Sequence, residues 1–206
     1  KPKIILLDEF MKAPKLLHVV FTRLMLERCV GDVPLPHGSV VFGTSNNASD
    51  GVGDSMLAHA GNRVCIMPMA KPMPNEWLKW ASESGVNRLI RAWVAMTPKC
   101  LNSYTTGDQD DNEYIFNPKK LKLSFVSPRS LAKASVIVDN RDKLGDNATM
   151  VALSGTIGIS AAKQMSAFLS LEKQLPDFKD VIKAPEKIEV PDDLAATLMM
   201  MFQAVD

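Results

Sequence analysis

Two adjacent acids, Asp8 and Glu9, directly follow the aliphatic run IILL at residues 4–7. A run this apolar predicts a strand that is buried on both faces of a parallel sheet. Carboxylates at the end of such a strand can hold a hard metal cation or accept a proton during catalysis. The alternative is structural, because an acid just before a helix satisfies free backbone amides and suits the helix dipole.

A second polar strand end lies further along the chain. The stretch SVVFGTSNN, at residues 39–47, predicts another buried strand that runs into polar residues. Ligands of open α/β sheets bind at the carboxyl ends of the strands, so Asp8, Glu9 and Asn46 could share one crevice. Asn47 is the neighbouring candidate, and either asparagine could instead stabilise a turn.

The elements that must position these side chains alternate between strand and helix. Pro14 precedes apolar residues at three- and four-residue spacing, which predicts a helix that ends near Gly31. The residues GDVPLPHG at 31–38 indicate a hairpin or an irregular loop. A short helix at SMLAHAG, 55–61, and a third strand at RVCIMPM, 63–69, complete an α/β layer.

The character of the chain changes after Pro74. NEWLKWASESG and VNRLIRAWVAM predict amphipathic helices, in which we expect Trp77 and Trp80 to pack in the core. After a polar loop, SPRSLAKASVIV and NATMVALSGTIGISAAKQMSAFLSLEK predict further helices. The charged, proline-spaced stretch from residue 176 predicts a tail, and LAATLMMMFQAVD the start of an amphipathic helix.

Charge and cysteine content exclude several classes of protein. Basic and acidic side chains nearly cancel, 24 against 23, so no overall field steers the chain toward nucleic acid or an anionic membrane. No apolar run approaches the roughly 20 residues of a membrane-spanning helix, and the first residues do not resemble a signal peptide, so we expect a cytoplasmic protein. Cys29, Cys65 and Cys100 are widely spaced without a CxxC motif, and we expect buried thiols. The three histidines show no metal-ligand spacing, which argues against a metal site made only of protein side chains.

Four motifs, taken in order, resemble the AAA+ ATPases, and within them the MoxR-like, dynein-related branch. IILLDE is similar to the Walker B motif of P-loop NTPases. The helix after it, the prolyl hairpin and the strand ending GTSNN resemble that branch up to its sensor 1 strand. MLAHAGNRV resembles the branch's segment that ends in an arginine and an apolar residue, and FVSPRSLAKAS resembles the start of the sensor 2 helix. The resemblance covers most of residues 1–140.

The resemblance implies roles in ATP hydrolysis for the polar strand ends. Asp8 would hold Mg²⁺ through its water shell, and Glu9 would orient and polarise the attacking water. Asn46, or its neighbour Asn47, would be sensor 1, whose amide contacts phosphate and holds that water.

Two arginines complete the implied site. Arg63 would be the arginine finger that reaches the ATP of the neighbouring subunit, and Arg129 would be sensor 2, which couples the helical lid to the γ phosphate. Taken alone, Arg63 would be interpreted as a surface or strand-edge arginine, and Arg129 as a surface arginine at a helix start.

The phosphate cradle of the family is not found in this sequence, because GxxxxGK[ST] does not occur in it. We therefore expect the C-terminal part of an AAA+ module without its P-loop portion, which binds ATP weakly or not at all by itself. The P-loop strand and at least one other would come from upstream residues, so apolar sheet and helix surface is expected to be uncovered here.

The fold class implied is α/β, a partial P-loop NTPase parallel sheet with helices, followed by a mostly α-helical lid. The C-terminal part of the core would occupy residues 1–72 and the lid with sensor 2 residues 73–175. The proline-spaced tail and the start of a further helix would occupy residues 176–206.

The leading functional hypothesis is an ATP-hydrolysing chaperone or remodelling protein that uses ATP and Mg²⁺ at the subunit interfaces of a homo-oligomeric ring, hexameric by resemblance. Its partner would be a client protein, often one with a von Willebrand A domain in this family, and not a membrane. A non-catalytic AAA+-like scaffold is the alternative, which the missing P-loop favours and the intact site residues oppose. A DExx helicase would also use Asp8 and Glu9, but a helical lid follows here, and the near-zero net charge makes a nucleic-acid partner unfavourable.

Overall fold

The computed structural model describes residues 1–46, 64–120, 122–172, 175–176, 178–188 and 191–205. The chain divides into two compact units, Lys1–Ala70 and Lys71–Asp206. The first unit combines strands and a helix, and the second is helical, so the α/β class expected from the sequence is confirmed at this level.

A two-stranded parallel sheet forms the first unit. Strand β1 (Ile4–Leu7) pairs with β4 (Val40–Gly43) in the register Ile4 to Val40 through Leu7 to Gly43. Between them lie a 3-10 turn, helix α1 (Lys15–Glu27), and a hairpin of β2 (Cys29–Val30) with β3 (Val33–Pro34). The predicted helix and second strand are confirmed, and the proline-rich stretch is a hairpin.

One face of this sheet is exposed, so the prediction of a strand buried on both faces is wrong. Ile4 is 80% and Leu6 51% exposed, and their partners Val40 and Phe42 are about half exposed on the same face. Within the described residues only these two strands pair in parallel, and α1 packs on β4 without covering that face. The exposed face agrees with the expected uncovered apolar surface.

Three further expectations concern the last part of the first unit. The third strand predicted at 63–69 is absent from its described part, because residues 64–69 adopt no regular structure and their side chains Ile66, Met67 and Met69 are exposed. Cys65 lies in the same stretch and is exposed, which corrects the expectation of a buried thiol. The short helix predicted at 55–61 falls outside the described residues.

Helices with apolar faces build the second unit around one central helix. Helix α2 (Pro74–Glu83), α4 (Pro128–Asp139) and α8 (Leu194–Val205) pack on α3 (Arg88–Met96), in which six of nine residues are buried. The remaining helices are α5 (Arg141–Ile157), α6 (Ile159–Glu172) and α7 (Phe178–Lys183). Helix α8 therefore belongs to the core of the second unit, whereas no residue of α7 is buried.

The starts of these helices follow from local chemistry. The Asn87 side chain accepts from the Leu89 amide at 2.8 Å, which caps α3. Ser127 caps α4 by accepting from the Ser130 amide at 3.0 Å, and Pro128 occupies the first turn. Where the sequence predicts one long helix after residue 147, Gly158 separates α5 from α6, because its φ of 88° is not helical.

The tryptophans of α2 divide between core and surface. Trp77 is 2% exposed and packs in the core with Trp93, as predicted. Trp80 is 47% exposed, so its predicted burial is wrong. Residues 77 and 81 occupy the face of α2 that meets the core, and Trp80 lies beside that face. None of the described helices is long and apolar enough to cross a membrane.

Candidate functional site

The parallel register brings the ends of β1 and β4 to one edge of the sheet. The Thr44 amide donates to the Leu7 carbonyl at 3.0 Å, which extends the pairing past the strands. The Thr44 hydroxyl then donates to Oδ1 of Asp8 at 2.5 Å. Asp8 is thereby fixed to the neighbouring strand end, and its other oxygen makes no hydrogen bond to the described residues.

Glu9 has a strained backbone that the same threonine holds. Its φ of 50° and ψ of 37° place it in the left-handed region, which is uncommon for a residue with a side chain and costs on the order of 1–3 kcal/mol. The Glu9 amide donates to Thr44 Oγ1 at 3.1 Å, and the next amide, of Phe10, donates to the Thr44 carbonyl at 3.1 Å. Strain retained in this way is frequent at functional sites.

The turn after Glu9 is anchored by packing on β4. Phe10 and Met11 are buried, and a Cβ built on Gly43 would lie 2.8 Å from the Phe10 ring. Glycine at position 43 therefore lets the aromatic ring approach the strand closely. The position of Glu9 depends on this contact because Phe10 follows it directly.

The alternative interpretation, in which the side chains of the two acids cap the helix that follows, is wrong. Neither Asp8 nor Glu9 makes a side-chain capping bond to the 3-10 turn, and the cap residue of α1 is Pro14. Glu9 instead forms an ion pair with Lys12, whose Nζ lies 2.6 Å from Oε2. Both side chains are about half exposed, and such a pair contributes at most about 1 kcal/mol, so it is readily exchanged for another partner.

Asn46 lies two residues beyond Thr44 and is exposed. The structure thus places Asp8, Glu9 and the segment leading to Asn46 at the same edge of the sheet. Asn47 and Arg63 lie outside the described residues. Asp8 supplies one carboxylate oxygen, which suits Mg²⁺ because this ion keeps several of its waters. In the described ranges no three His, Cys, Asp or Glu side chains group closely enough to form a metal cluster.

Arg129 belongs to the second unit, in the first turn of α4. It is exposed, and within the described part of the chain its guanidinium makes no hydrogen bond or ion pair. It borders a cavity of about 680 Å³ that is lined mainly by apolar side chains of α2 and α4. An arginine in this position is available to a ligand.

The chain matches no known protein-family model, no curated protein and no solved structure. The functional argument therefore depends on the geometry of the strand ends.

Two residues of this site were not found by sequence reasoning. Thr44 forms hydrogen bonds with both acids. The signal that could have identified it is the parallel pairing of β1 with β4, because aligning Leu7 with Gly43 places Thr44 beside Asp8. Lys12 pairs with Glu9 across one turn, a spacing of three that the sequence does display.

A partly buried amine and a buried thiol form a second group of titratable side chains, inside the second unit. The Lys71 Nζ donates to the Asn102 carbonyl at 2.8 Å, and burial lowers the pKa of Lys71 to about 8. Burial raises the pKa of the Cys100 thiol to about 12, which makes it an inert core thiol.

Proposed function

We propose that this chain carries the Walker B, sensor 1, arginine-finger and sensor 2 segments of a MoxR-like AAA+ ATPase, which hydrolyses ATP to remodel a client protein. One observation carries the proposal. Two adjacent acids lie at the carboxyl end of a parallel strand, one held by a threonine of the neighbouring strand end and the other kept in a strained conformation by that threonine.

Each residue at the strand ends has a defined task in this proposal. Asp8 holds the water shell of Mg²⁺ through its unbonded oxygen, and the metal offsets charge that develops on the phosphates. Glu9 leaves Lys12, orients the attacking water and accepts its proton. Asn46 donates its amide to the phosphate and keeps that water in line.

The two arginines act on the charge that spreads over the transferred phosphoryl group. Arg63 acts from a neighbouring subunit of a homo-oligomeric ring, a hexamer by family resemblance, and such a residue supplies about three to five decades of rate. Arg129 couples the helical second unit to the γ phosphate. The client is a protein, with a von Willebrand A domain as one form that the resemblance implies.

The test is the rate of ATP hydrolysis by the protein as it occurs naturally. Glu9→Gln keeps the size of the side chain and removes its basicity, so we expect kcat to fall by about 100-fold or more while ATP binding persists. Glu83→Gln, on the exposed surface of α2, is the matched control and should retain wild-type turnover. Equal turnover by Glu9→Gln and wild type would remove the catalytic role.

A non-catalytic scaffold is the second candidate, because the Glu9 carboxylate already has a partner in Lys12. A scaffold would assemble without turnover and would tolerate Glu9→Gln in every assay. Sedimentation identifies the assembled state, and ATP hydrolysis measured on that assembly separates the two functions, since only the ATPase turns over nucleotide.

A further inference from the structure

An apolar groove lies between α2 and α4 in the second unit, around the cavity of about 680 Å³. Its walls are formed chiefly by Trp77, Trp80, Ala132 and Val136. Trp80 is 47% and Val136 62% exposed, so much of this apolar surface faces solvent. Contiguous exposed apolar surface of this kind marks interaction sites more often than isolated exposed side chains do.

Trp77, which lines the groove, has a buried polar atom without a partner. The indole Nε1 of Trp77 is buried and has no hydrogen-bond acceptor among the described residues. A buried donor without an acceptor is unfavourable, but this atom is closed off from solvent, so it does not identify the occupant of the groove.

The rim of the groove is cationic. Arg129 and Lys133 lie four residues apart on α4, and neither makes a hydrogen bond or ion pair to the described residues. Like charges at this spacing repel, and a cation in the first turn opposes the helix dipole, which no acid in that turn of α4 offsets. The acid lining the groove, Glu76, is engaged at 2.8 Å with the Met73 amide. An acidic occupant would relieve both unfavourable placements.

We propose that this groove binds an amphipathic, acidic peptide segment of a partner protein, with apolar side chains on Trp80 and Val136 and a carboxylate on Lys133. Helices α2 and α4 both pack on α3 and leave an open groove between them. A helical peptide could lie along such a groove. Charge complementarity selects an acidic segment. The groove shares Arg129 with the proposed nucleotide site, but Trp80, Val136 and Lys133 have no part in hydrolysis, so the inference does not depend on ATPase activity.

The probe is an end-capped peptide of about 14 residues with leucines at helical spacing and glutamates between them, beside a twin in which lysines replace the glutamates. Neither contains tryptophan, so the protein's own tryptophan emission reports binding to the 206-residue chain without nucleotide. We expect the acidic peptide to bind at least about tenfold tighter than its basic twin, a difference that charge pairing at one site can produce.

Matched variants place the binding in the groove. Val136→Asp and Lys133→Glu should each lower the affinity for the acidic peptide by about tenfold or more. Val151→Asp, at a valine of α5 that is 72% exposed, and Lys143→Glu, at an exposed lysine of the same helix, are the controls and should leave its affinity unchanged. Circular dichroism confirms that each variant folds, and Trp80→Ala replaces Val136→Asp if the latter does not fold.

Three results would overturn the inference. The first is no binding of the acidic peptide, or equal binding of both peptides. The second is an equal loss of affinity in the groove variants and their controls. The third is self-association of the chain that Val136→Asp abolishes, which would show that a second copy of this chain is the occupant.

Discussion

At the scale of single residues, Glu9 combines a strained backbone with a position at the strand ends. A second residue with a side chain, Arg28, has the same left-handed conformation, with a φ of 54° at the end of α1. Arg28 ends a helix, where such a conformation is common and glycine is favoured. Glu9 instead lies two residues after β1 and precedes a 3-10 turn, where its amide donates to Thr44 Oγ1. The two residues therefore share a conformation but differ in their structural setting.

We predict that Glu9→Gly and Arg28→Gly each stabilise the first unit by about 1 kcal/mol, because glycine adopts a positive φ without strain. All tryptophans and tyrosines lie beyond residue 70, so amide hydrogen exchange of β1 and β4 is the suitable measurement. In the full-length protein only Glu9→Gly should lose ATP turnover. A Glu9→Gly protein that is stabilised and fully active would show that the strain serves no function.

The partly buried Lys71 and the buried Cys100 make the stability of the second unit depend on pH in the alkaline range. The pKa of Lys71 falls to about 8 on folding, so above about pH 8, and up to its ordinary 10.5, the unfolded chain binds more protons and stability rises with pH. The pKa of Cys100 rises from 9.0 to about 12, so between these values the folded chain binds more protons and stability falls with pH. The two effects oppose each other between about pH 9 and 10.5.

The free energy of unfolding can be measured by urea unfolding, followed by tryptophan emission, from pH 7.5 to 11. It should rise between about pH 8 and 9 and fall above about pH 10.5. Lys71→Met should abolish the rise, and Cys100→Ala should abolish the fall. Lys79→Met, at an exposed lysine of α2, should keep the wild-type profile. A rise that persists in Lys71→Met would assign it to another group.

Sequence reasoning located the acids and Asn46 but not what joins them. Apolar runs that end in polar residues are visible in the sequence, so Asp8, Glu9 and Asn46 could be predicted as neighbours. The role of Thr44 depends on strand register, and the conformation of Glu9 depends on the packing of Phe10 against Gly43. Both are tertiary properties that no local pattern encodes.

At the scale of elements, helical spacing predicted α1 to α4 because their apolar faces are regular. The pattern around Gly158 continues as if one helix ran through it, but the glycine has a φ of 88° and a ψ of 154°, a region that is almost restricted to glycine. The apolar run at 63–69 predicted a strand, yet in its described part no partner strand pairs with it. A strand requires a partner, and an apolar run alone does not provide one.

We predict opposite effects of alanine at the two glycines near the end of α5. Gly158→Ala should lower the free energy of unfolding by about 2 kcal/mol or more, because its backbone is strained for alanine and its Cβ would lie 2.8 Å from the Ser124 carbonyl oxygen. Gly155→Ala, inside α5 with no atom near the added Cβ, should raise it by about 0.5–1 kcal/mol. Urea unfolding measures both, and destabilisation of equal size would contradict the distinction.

At the scale of the whole molecule, the sequence supplies acids and arginines for a nucleotide but no GxxxxGK[ST] cradle. We predict that the 206-residue chain binds MgATP with a Kd above about 1 mM, because Asp8 and Asn46 alone leave most phosphate oxygens without donors. Calorimetry checks this value. A micromolar Kd that Asp8→Asn weakens would show that the chain forms a phosphate site by other means.

The bond from Thr44 to Asp8 spans 36 residues of chain. Closing a loop of that length costs conformational entropy before the contact contributes any stabilisation. Each helix of the second unit, by contrast, forms hydrogen bonds between residues four apart. We therefore expect the helices to form first and the β1–β4 pair to form late. Since the two acids acquire their positions only through that pair, the candidate site has no partly formed precursor and arises in the same step as the sheet.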